Sequence, residues 1–323
     1  MTDQYGRNID YMRLSITDRC NLRCKYCMPE GITLTPHCEI LTYEELLRVA
    51  AQAVALGVTK FKVTGGEPLV RKGCVDFVGQ LKALPGVEQV TMTTNGLLLG
   101  AQLEALVSAG LDAVNISLDT VDNAKYCQLT GYRGSALPRL MGLLEQCVVQ
   151  GIRTKVNVVL LEENRDELPE LASIAQHLPV DVRFIELMPI GYGASASGFS
   201  PDRALETLKS RWPDLSPVSE KRGNGPAHYY ASASLVGRIG FIDAVSHAFC
   251  ADCNRVRLTS TGLLKPCLCY ETSVDLKAIL RSGGSDADLW EALRQAIYAK
   301  PRAHCFAQRD SITEQKGMSQ IGG

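Results

Sequence analysis

Met12-Arg13-Leu14-Ser15-Ile16-Thr17-Asp18-Arg19-Cys20-Asn21-Leu22-Arg23-Cys24-Lys25-Tyr26-Cys27 is an apolar, strand-like run that leads straight into three cysteines spaced C-x3-C-x2-C. Thiolates are soft ligands that suit iron–sulfur clusters and zinc. A structural zinc normally takes four protein ligands. A four-iron cluster needs one ligand per iron, so three cysteines leave one iron open to a small molecule. A zinc knuckle or a chance grouping of cysteines is the competing reading, because short motifs recur by accident.

Outward from this stretch, strand and helix patterns alternate. Thr42-Tyr43-Glu44-Glu45 is a capping box. Leu46, Val49, Ala50, Ala53 and Val54 follow at helical spacing, and Gly57 supplies the stop. Strands are expected over 60–64, 89–94, 113–118, 154–160 and 182–187. Helices are expected over 74–84, 99–109, 136–150 and 167–177. With the run at Met12 this makes six βα-type units, which implies parallel strands joined by crossover helices. A closed barrel of this type has eight units, and the pattern stops near residue 190, at Gly191-Tyr192-Gly193-Ala194-Ser195. The expected fold class is therefore α/β: an incomplete (β/α)6 TIM-type barrel over 1–200, followed by a C-terminal region over 201–323. That region holds a hairpin over 229–242, a helix near 286–298 and a polar tail. Gly65-Gly66-Glu67-Pro68, Thr93-Thr94-Asn95-Gly96 and Ser117-Leu118-Asp119 share with Cys20 a place at the C-terminal end of a strand. That rim carries the active site in barrel enzymes.

The composition is that of a soluble globular chain, 46% hydrophobic and 21% charged over 323 residues. A net charge of −1 argues against nucleic acid or a membrane as bulk partner, so a phosphate-bearing ligand would need a local basic pocket. The start, Met1-Thr2-Asp3-Gln4-Tyr5-Gly6-Arg7-Asn8, does not read as a signal peptide, and no apolar run is long enough to span a bilayer. Twelve cysteines could signal disulfides, but that framework belongs to short secreted chains. Cys38, Cys74, Cys127, Cys147 and Cys305 are scattered and read as reduced thiols, so a cytoplasmic location is expected.

A second trio stands near the end. Cys250-Ala251-Asp252-Cys253 is followed, thirteen residues on, by Cys267. Between them, Asn254-Arg255-Val256-Arg257 puts both arginines on one face of a strand. Arginine suits phosphate because its planar fork donates two parallel hydrogen bonds.

The C-x3-C-x2-C motif with an aromatic before its last cysteine resembles the radical S-adenosylmethionine (SAM) enzymes. The series Arg13-Leu14-Ser15-Ile16-Thr17-Asp18-Arg19-Cys20, Thr64-Gly65-Gly66-Glu67-Pro68-Leu69, Thr93-Thr94-Asn95-Gly96, Asn115-Ile116-Ser117-Leu118-Asp119, Lys155-Val156-Asn157, Arg183-Phe184-Ile185-Glu186, Cys253-Asn254-Arg255-Val256-Arg257 and Gly322-Gly323 runs nearly end to end. It resembles one family within them, the GTP 3′,8-cyclases of molybdenum cofactor biosynthesis. The resemblance implies that Cys20, Cys24 and Cys27 hold a SAM-cleaving [4Fe-4S] cluster, and that Cys250, Cys253 and Cys267 hold a second [4Fe-4S] cluster whose open iron meets the guanine of GTP. Tyr26, Gly66, Ser117 and Met188 would line the SAM site, with Gly65-Gly66 admitting close backbone approach. Arg13, Lys62, Thr93, Lys155, Arg183, Arg255 and Arg257 would surround GTP. Arg13, Arg255, Arg257, Gly322 and Gly323 would serve catalysis. A deoxyadenosyl radical would take hydrogen from ribose C3′, and ring closure onto guanine C8 would give 3′,8-cyclo-7,8-dihydro-GTP. Implied partners are an electron donor and cyclic pyranopterin monophosphate synthase downstream; the resemblance admits a homodimer.

Taken singly, Arg13 and Lys155 read as surface residues, Met188 as core filler, and the five histidines as having no role. Lys62 stands where the family leads one to expect arginine, which keeps charge and loses the bidentate fork. Cys269 lies two residues past Cys267; Cys267 is preferred because its interval matches the family. Two other functions compete: a peptide-modifying radical SAM enzyme with an auxiliary cluster, and a non-catalytic iron–sulfur or zinc protein. Neither calls for the Arg255/Arg257 pair or the terminal Gly-Gly. Chain ends usually fray, but glycine has no side chain to clash in a crowded pocket. The tail is therefore expected to enter the barrel, its carboxylate meeting Arg183 or Lys155.

Overall fold

The computed structural model describes residues 1–220 and 222–322. Six parallel strands form its centre: β1 (Tyr11–Ser15), β2 (Lys60–Thr64), β3 (Gln89–Thr94), β4 (Ala113–Ser117), β5 (Arg153–Val159) and β6 (Asp181–Ile185), each hydrogen-bonded to the next. Alternate residues such as Met12, Leu14, Phe61, Val63, Val90, Met92, Val114, Ile116, Val156 and Val158 are fully buried. They face the helices α1 (Tyr43–Ala55), α2 (Cys74–Ala83), α3 (Leu103–Ser108), α4 (Asn123–Thr130) and α5 (Leu137–Val149). A parallel sheet requires such cover on the outside. The intervening residues, among them Arg13, Lys62, Thr91 and Asn115, are polar and point to the other face.

The C-terminal region extends this sheet at both edges. Two short helices, α6 (Leu168–Ala172) and α7 (Ile174–His177), precede β6, and α8 (Pro201–Arg211) follows it. Then β7 (Ser216–Val218), β8 (His228–Ala231) and β9 (Ile239–Ile242) form an antiparallel run whose last strand lies parallel to β6. At the opposite edge β10 (Arg255–Leu258) lies parallel to β1, and β11 (Leu263–Lys265) and β12 (Val274–Asp275) follow antiparallel. The resulting sheet has twelve strands in the order β12-β11-β10-β1-β2-β3-β4-β5-β6-β9-β8-β7 and does not close. The open, partial barrel expected from six βα units is present, but the sheet does not end near residue 190. Helices α9 (Leu276–Arg281) and α10 (Asp286–Tyr298) pack back toward α1, tied by Arg48–Asp286 and Arg281–Glu45 ion pairs. A last turn, α11 (Met318–Ile321), belongs to a small separate core of Ile190, Leu268, Cys269, Phe306 and Ile321.

Several element bounds differ from the periodicity. The helix expected over 99–109 starts only at Leu103, because Gly96 at φ +82 opens a run of turns. The helix expected over 167–177 breaks at Ser173, whose hydroxyl donates to the Glu170 carbonyl at 2.6 Å; such back-bonding bends helices. Helices α4 and α8 were not expected, although Asp122 and Ser200-Pro201 are ordinary start signals for them. The expected hairpin is β8–β9.

Thr42 caps α1 as its sequence foretold, its hydroxyl accepting from Glu45 N–H at 3.1 Å while Glu45 accepts from Thr42 N–H at 2.7 Å. Thr42→Ala should lower unfolding free energy by about 1 kcal/mol. A thermal or urea transition indistinguishable from the parent would show that tertiary contacts alone hold this end of α1.

Candidate active site

Strand register builds the site. Parallel partners share a face, so Arg13 stands between Lys62 on β2 and Arg257 on β10. Further round, Thr93, Asn115, Lys155 and Asp181 make a row, with Asn157 beside Arg183 in the next layer. These side chains point into the concave side of the sheet, around a cavity of ≈ 610 Å³. It is lined by both cysteine trios, by Tyr26, Gly66, Ser117, Met188 and Thr93, and by Arg13, Lys62, Lys155, Arg183, Arg255 and Arg257. Residues from opposite ends of the chain thus share one space.

Cys20, Cys24 and Cys27 sit on the loop after β1. Two backbone bonds, Gly66 N–H to Thr17 O and Glu67 N–H to Arg19 O, both 2.8 Å, pin that loop to the end of β2. A methyl group at Gly65 would lie 2.5 Å from Thr17 O, and one at Gly66 2.5 Å from Arg19 O. The cysteine loop itself therefore makes a steric demand for these glycines, which also line the cavity where the sequence reading placed a ligand. Glu67 is fully buried and accepts from Leu69 N–H, Asn95 N–H and the Thr94 hydroxyl, while burial pushes its carboxyl up to about 7. Asn95 in turn reaches Cys20 Sγ at 3.8 Å. Tyr26 donates to Asp119, whose carboxyl burial raises to about 6, and Asp119 also accepts from Val159 N–H at 2.8 Å. Burial, and then the charges of Cys27, Asp119 and Cys20, hold the Cys24 thiol well above its ordinary value; Cys27 is pushed up to about 12 for similar reasons. Three thiolates in this space need bound positive charge.

The second trio has a different setting. Burial raises Cys253, but Lys300 and Arg255 more than offset it, leaving its thiol below the ordinary value. Lys300, 3% exposed, donates to Arg255 O at 2.9 Å and to Pro266 O. Arg7 donates to Cys250 O at 2.9 Å and Pro301 O at 2.7 Å. His304 N–H donates to Cys250 Sγ at 3.4 Å, and its ring lines the cavity. Cys267 lines the cavity with Cys250 and Cys253. Cys269 is fully buried in the small core, with its sulfur 3.0 Å from that of Cys305. The cysteines are free thiols. Among the described residues no three His, Cys, Asp or Glu side chains converge on a single ion; an iron–sulfur cluster instead gives each thiolate its own iron. Thiolate-favouring cations, N–H donors to sulfur and the all-cysteine donor set fit such clusters.

The cations are crowded. Burial drives the Lys62 ammonium well below its ordinary value, and the charges acting on it, Arg183, Arg13, Lys155 and Arg255, are all positive. Burial and the same repulsion lower Arg257, and hold Arg13 to about 10. Lys155 is lowered to about 7 by burial and Arg183, despite an ion pair with Asp181 at 3.5 Å and a 2.8 Å bond to the Tyr229 hydroxyl. Arg183 is steadied by Asn157 Oδ1 at 2.6 and 3.1 Å. Arg255 Nε is buried without a hydrogen-bond partner among the described residues. A polyanion is the complement of this surface.

The tail enters the site. Gly322 at φ +80 packs on Ser15 and Thr64, and its carbonyl accepts from Arg257 Nη1. Ser319 N–H approaches Cys27 Sγ. Arg257 thus meets the backbone of the tail, while the terminal carboxylate expected to meet Arg183 or Lys155 belongs to Gly323. Gly323 lies outside the described residues. Sequence reasoning missed Asp119 as the partner of Tyr26, Glu67 as the link between two strand ends, and Arg7, Lys300 and His304 around the second trio. Asp119 and Glu67 had a signal, their place on the strand-end rim.

Residues 14–175 match the Radical SAM superfamily, and 180–306 match Molybdenum Cofactor Synthesis C. A GTP 3′,8-cyclase of Clostridium perfringens is 41% identical over 325 residues, covering all of both chains. One from Alkaliphilus oremlandii is 43% identical over 328 residues, again over both full lengths. The chain belongs to the GTP 3′,8-cyclase family. Among solved structures, Streptococcus suis SuiB bound to S-adenosylmethionine superposes with a TM-score of 0.65 at 15% identity, over 97% of this chain and 78% of that one. Native anSMEcpe with bound AdoMet gives 0.50 at 15% identity, over 63% and 60%. Both share the fold with this member of the GTP 3′,8-cyclases.

Two outcomes follow from the geometry. Cys267→Ala should lose half the iron of the reconstituted protein while Cys269→Ala keeps all of it; the reverse iron count would exchange their roles. For Lys155 the sign is set by burial: the free pocket half-deprotonates it near pH 7, and an anion favours the charged form. GTP binding should therefore take up protons from about pH 7 upward and weaken as pH rises through this range, seen as a buffer-dependent heat in calorimetry. Lys155→Met should reduce that proton uptake, leaving the share of the similarly depressed Lys62.

Proposed function

We infer that this protein is a radical SAM lyase that converts GTP to 3′,8-cyclo-7,8-dihydro-GTP, the first step of molybdenum cofactor biosynthesis. The observation that carries the reading is one cavity flanked by two cysteine trios and walled by register-paired cations. Cys20, Cys24 and Cys27 would hold the cluster that binds SAM; Cys250, Cys253 and Cys267 would hold the second cluster. When bound, the first cluster and SAM supply a carbon radical able to remove hydrogen from the ribose. The residues of the chain do the rest. Tyr26, held by Asp119, with Gly66, Ser117 and Met188, shapes the SAM side of the cavity. Arg13, Lys62, Lys155, Arg183 and Arg255 neutralise the triphosphate, with Thr93 among them. Arg257, bonded to the Gly322 carbonyl, would stand beside the reacting ribose, and the enclosing walls would keep water from the radical.

An external electron donor, cyclic pyranopterin monophosphate synthase as the consumer of the product, and a cytoplasmic location complete the proposal. No helix among the described residues is long and apolar enough to cross a membrane. The row of cations on the cavity wall, Arg13, Lys62, Lys155, Arg183, Arg255 and Arg257, favours a nucleotide triphosphate over a peptide substrate.

The decisive test is anaerobic incubation of the reconstituted protein with SAM, a strong reductant and GTP, reading 5′-deoxyadenosine and cyclised nucleotide together. Arg255→Ala should weaken GTP binding by about 2–5 kcal/mol, the range for losing one partner of a buried charged contact. Affinity equal to the parent would remove Arg255 from the nucleotide site.

A further inference from the structure

The C-terminal segment is fixed at two buried points that share one pair of strands. Lys265 in β11 stands opposite Arg257 in β10, so the two side chains rise from the same face. Arg257 holds the Gly322 carbonyl. Lys265 holds Glu314, and its remaining protons go to the carbonyls of Tyr270 at 2.8 Å and Glu271 at 3.3 Å. The side chains of Lys265 and Glu314 are 2% and 1% exposed. The other carboxylate oxygen of Glu314 accepts from Lys316 N–H at 2.8 Å, and Glu314 N–H donates to Cys269 O at 3.3 Å.

A buried ion pair is a poor way to gain stability, since an apolar pair of equal volume often holds as well. It is a good way to select one register, because a charge has one satisfactory partner while an apolar contact tolerates sliding. Between the two fixed points the tail makes apolar contacts of the tolerant kind, with Met318 and Ile321 against Ile190, Leu268 and Phe306. Gly317 must also pass Gly191, where a methyl group would lie 2.7 Å from the Gly317 Cα. A segment that threads so close a gap needs an anchor before it.

We propose that the Lys265–Glu314 pair is a positioning device for ring closure, setting the tail so that the Gly322 carbonyl rests on Arg257 beside the substrate. The proposal rests on the GTP 3′,8-cyclase reading above. Glu314 touches no substrate and acts through Gly322.

The test uses the full chain reconstituted with iron and sulfide. In Glu314→Gln the rate of cyclised product should fall on the order of tenfold to a hundredfold, as small misplacements near a reacting centre do. KM for GTP should stay within about twofold, because the tail adds little to ground-state binding. Iron content should hold and 5′-deoxyadenosine should still form, so that the ratio of deoxyadenosine to product rises. Amide exchange of 315–322 should quicken in the resting protein. Deleting residues 322–323 should produce the same loss, and adding Glu314→Gln to that deletion should produce no more. A product ratio equal to the parent, or losses that multiply in the combined variant, would overturn the proposal. Should Glu314→Gln fail to retain its clusters, Glu314→Asp carries the same readouts. A parent protein that makes deoxyadenosine but no cyclised nucleotide would instead remove the functional reading, while the exchange data would still report whether Glu314 sets the tail.

Discussion

Strand β10 enters the sheet beside β1 in parallel register, Arg257 against Arg13 and Arg255 against Tyr11. Everything at the site follows from that pairing. It brings a strand from the last quarter of the chain to the first strand of the barrel, and the second cysteine trio comes with it. The following antiparallel pair, β10 with β11, sets Lys265 opposite Arg257 and so fixes where the tail can dock. At the other edge β9 beside β6 makes the matching extension. The C-terminal region is better understood as the two flanks of the barrel sheet than as an appendage to it.

The register creates an electrostatic problem that a ligand resolves. Arg257, Arg13 and Lys62 occupy successive strands; Arg257 is buried and the other two are half-buried, and desolvation followed by repulsion from nearby cations lowers all three. Chain charge is −1 overall, so the concentration is local. Such a cavity is preorganised: the repulsion is already present in the folded protein and is relieved by a polyanion of the right length. The folded core outside the cavity bears that cost, since the outer apolar residues of the central strands β1 to β6 are buried under helices.

Cys24 and Cys27 in the first trio and Cys253 in the second are tuned in opposite directions. Around Cys24 and Cys27 burial and the carboxylate of Asp119 oppose ionisation, so metal charge must drive it. Around Cys253, Lys300 and Arg255 favour the thiolate before any metal arrives. Arg7 and His304 add donors on that side. The surroundings of Cys253 are therefore electropositive and continuous with the cationic wall, while the first trio faces Tyr26, Asp119 and the strand ends. This separation gives the cavity two chemically distinct ends for two ligands.

Much of the fold was legible in the sequence. Periodicities of two and 3.6 are local, so β1 to β6, α1, α5 and α10 could be placed within a few residues, and the capping box at Thr42 to within one. The cysteine spacings and the Arg255/Arg257 alternation were legible for the same reason, because both depend on neighbours a few residues apart. Bounds failed where turn chemistry or a back-bonding serine overrode periodicity, at Gly96 and Ser173. Cys267 could be preferred to Cys269 from its spacing, yet only the fold shows Cys269 turned away into the small core beside Cys305. Lone ions such as Arg7, Lys265 and Glu314 carry no local signal at all. By itself the sequence determined which segments become strands and which residues carry soft or cationic chemistry. Tertiary structure decided which strands became neighbours, and with that which charges share a cavity, because partner choice and register across a sheet depend on residues hundreds of positions apart and leave no trace in local spacing.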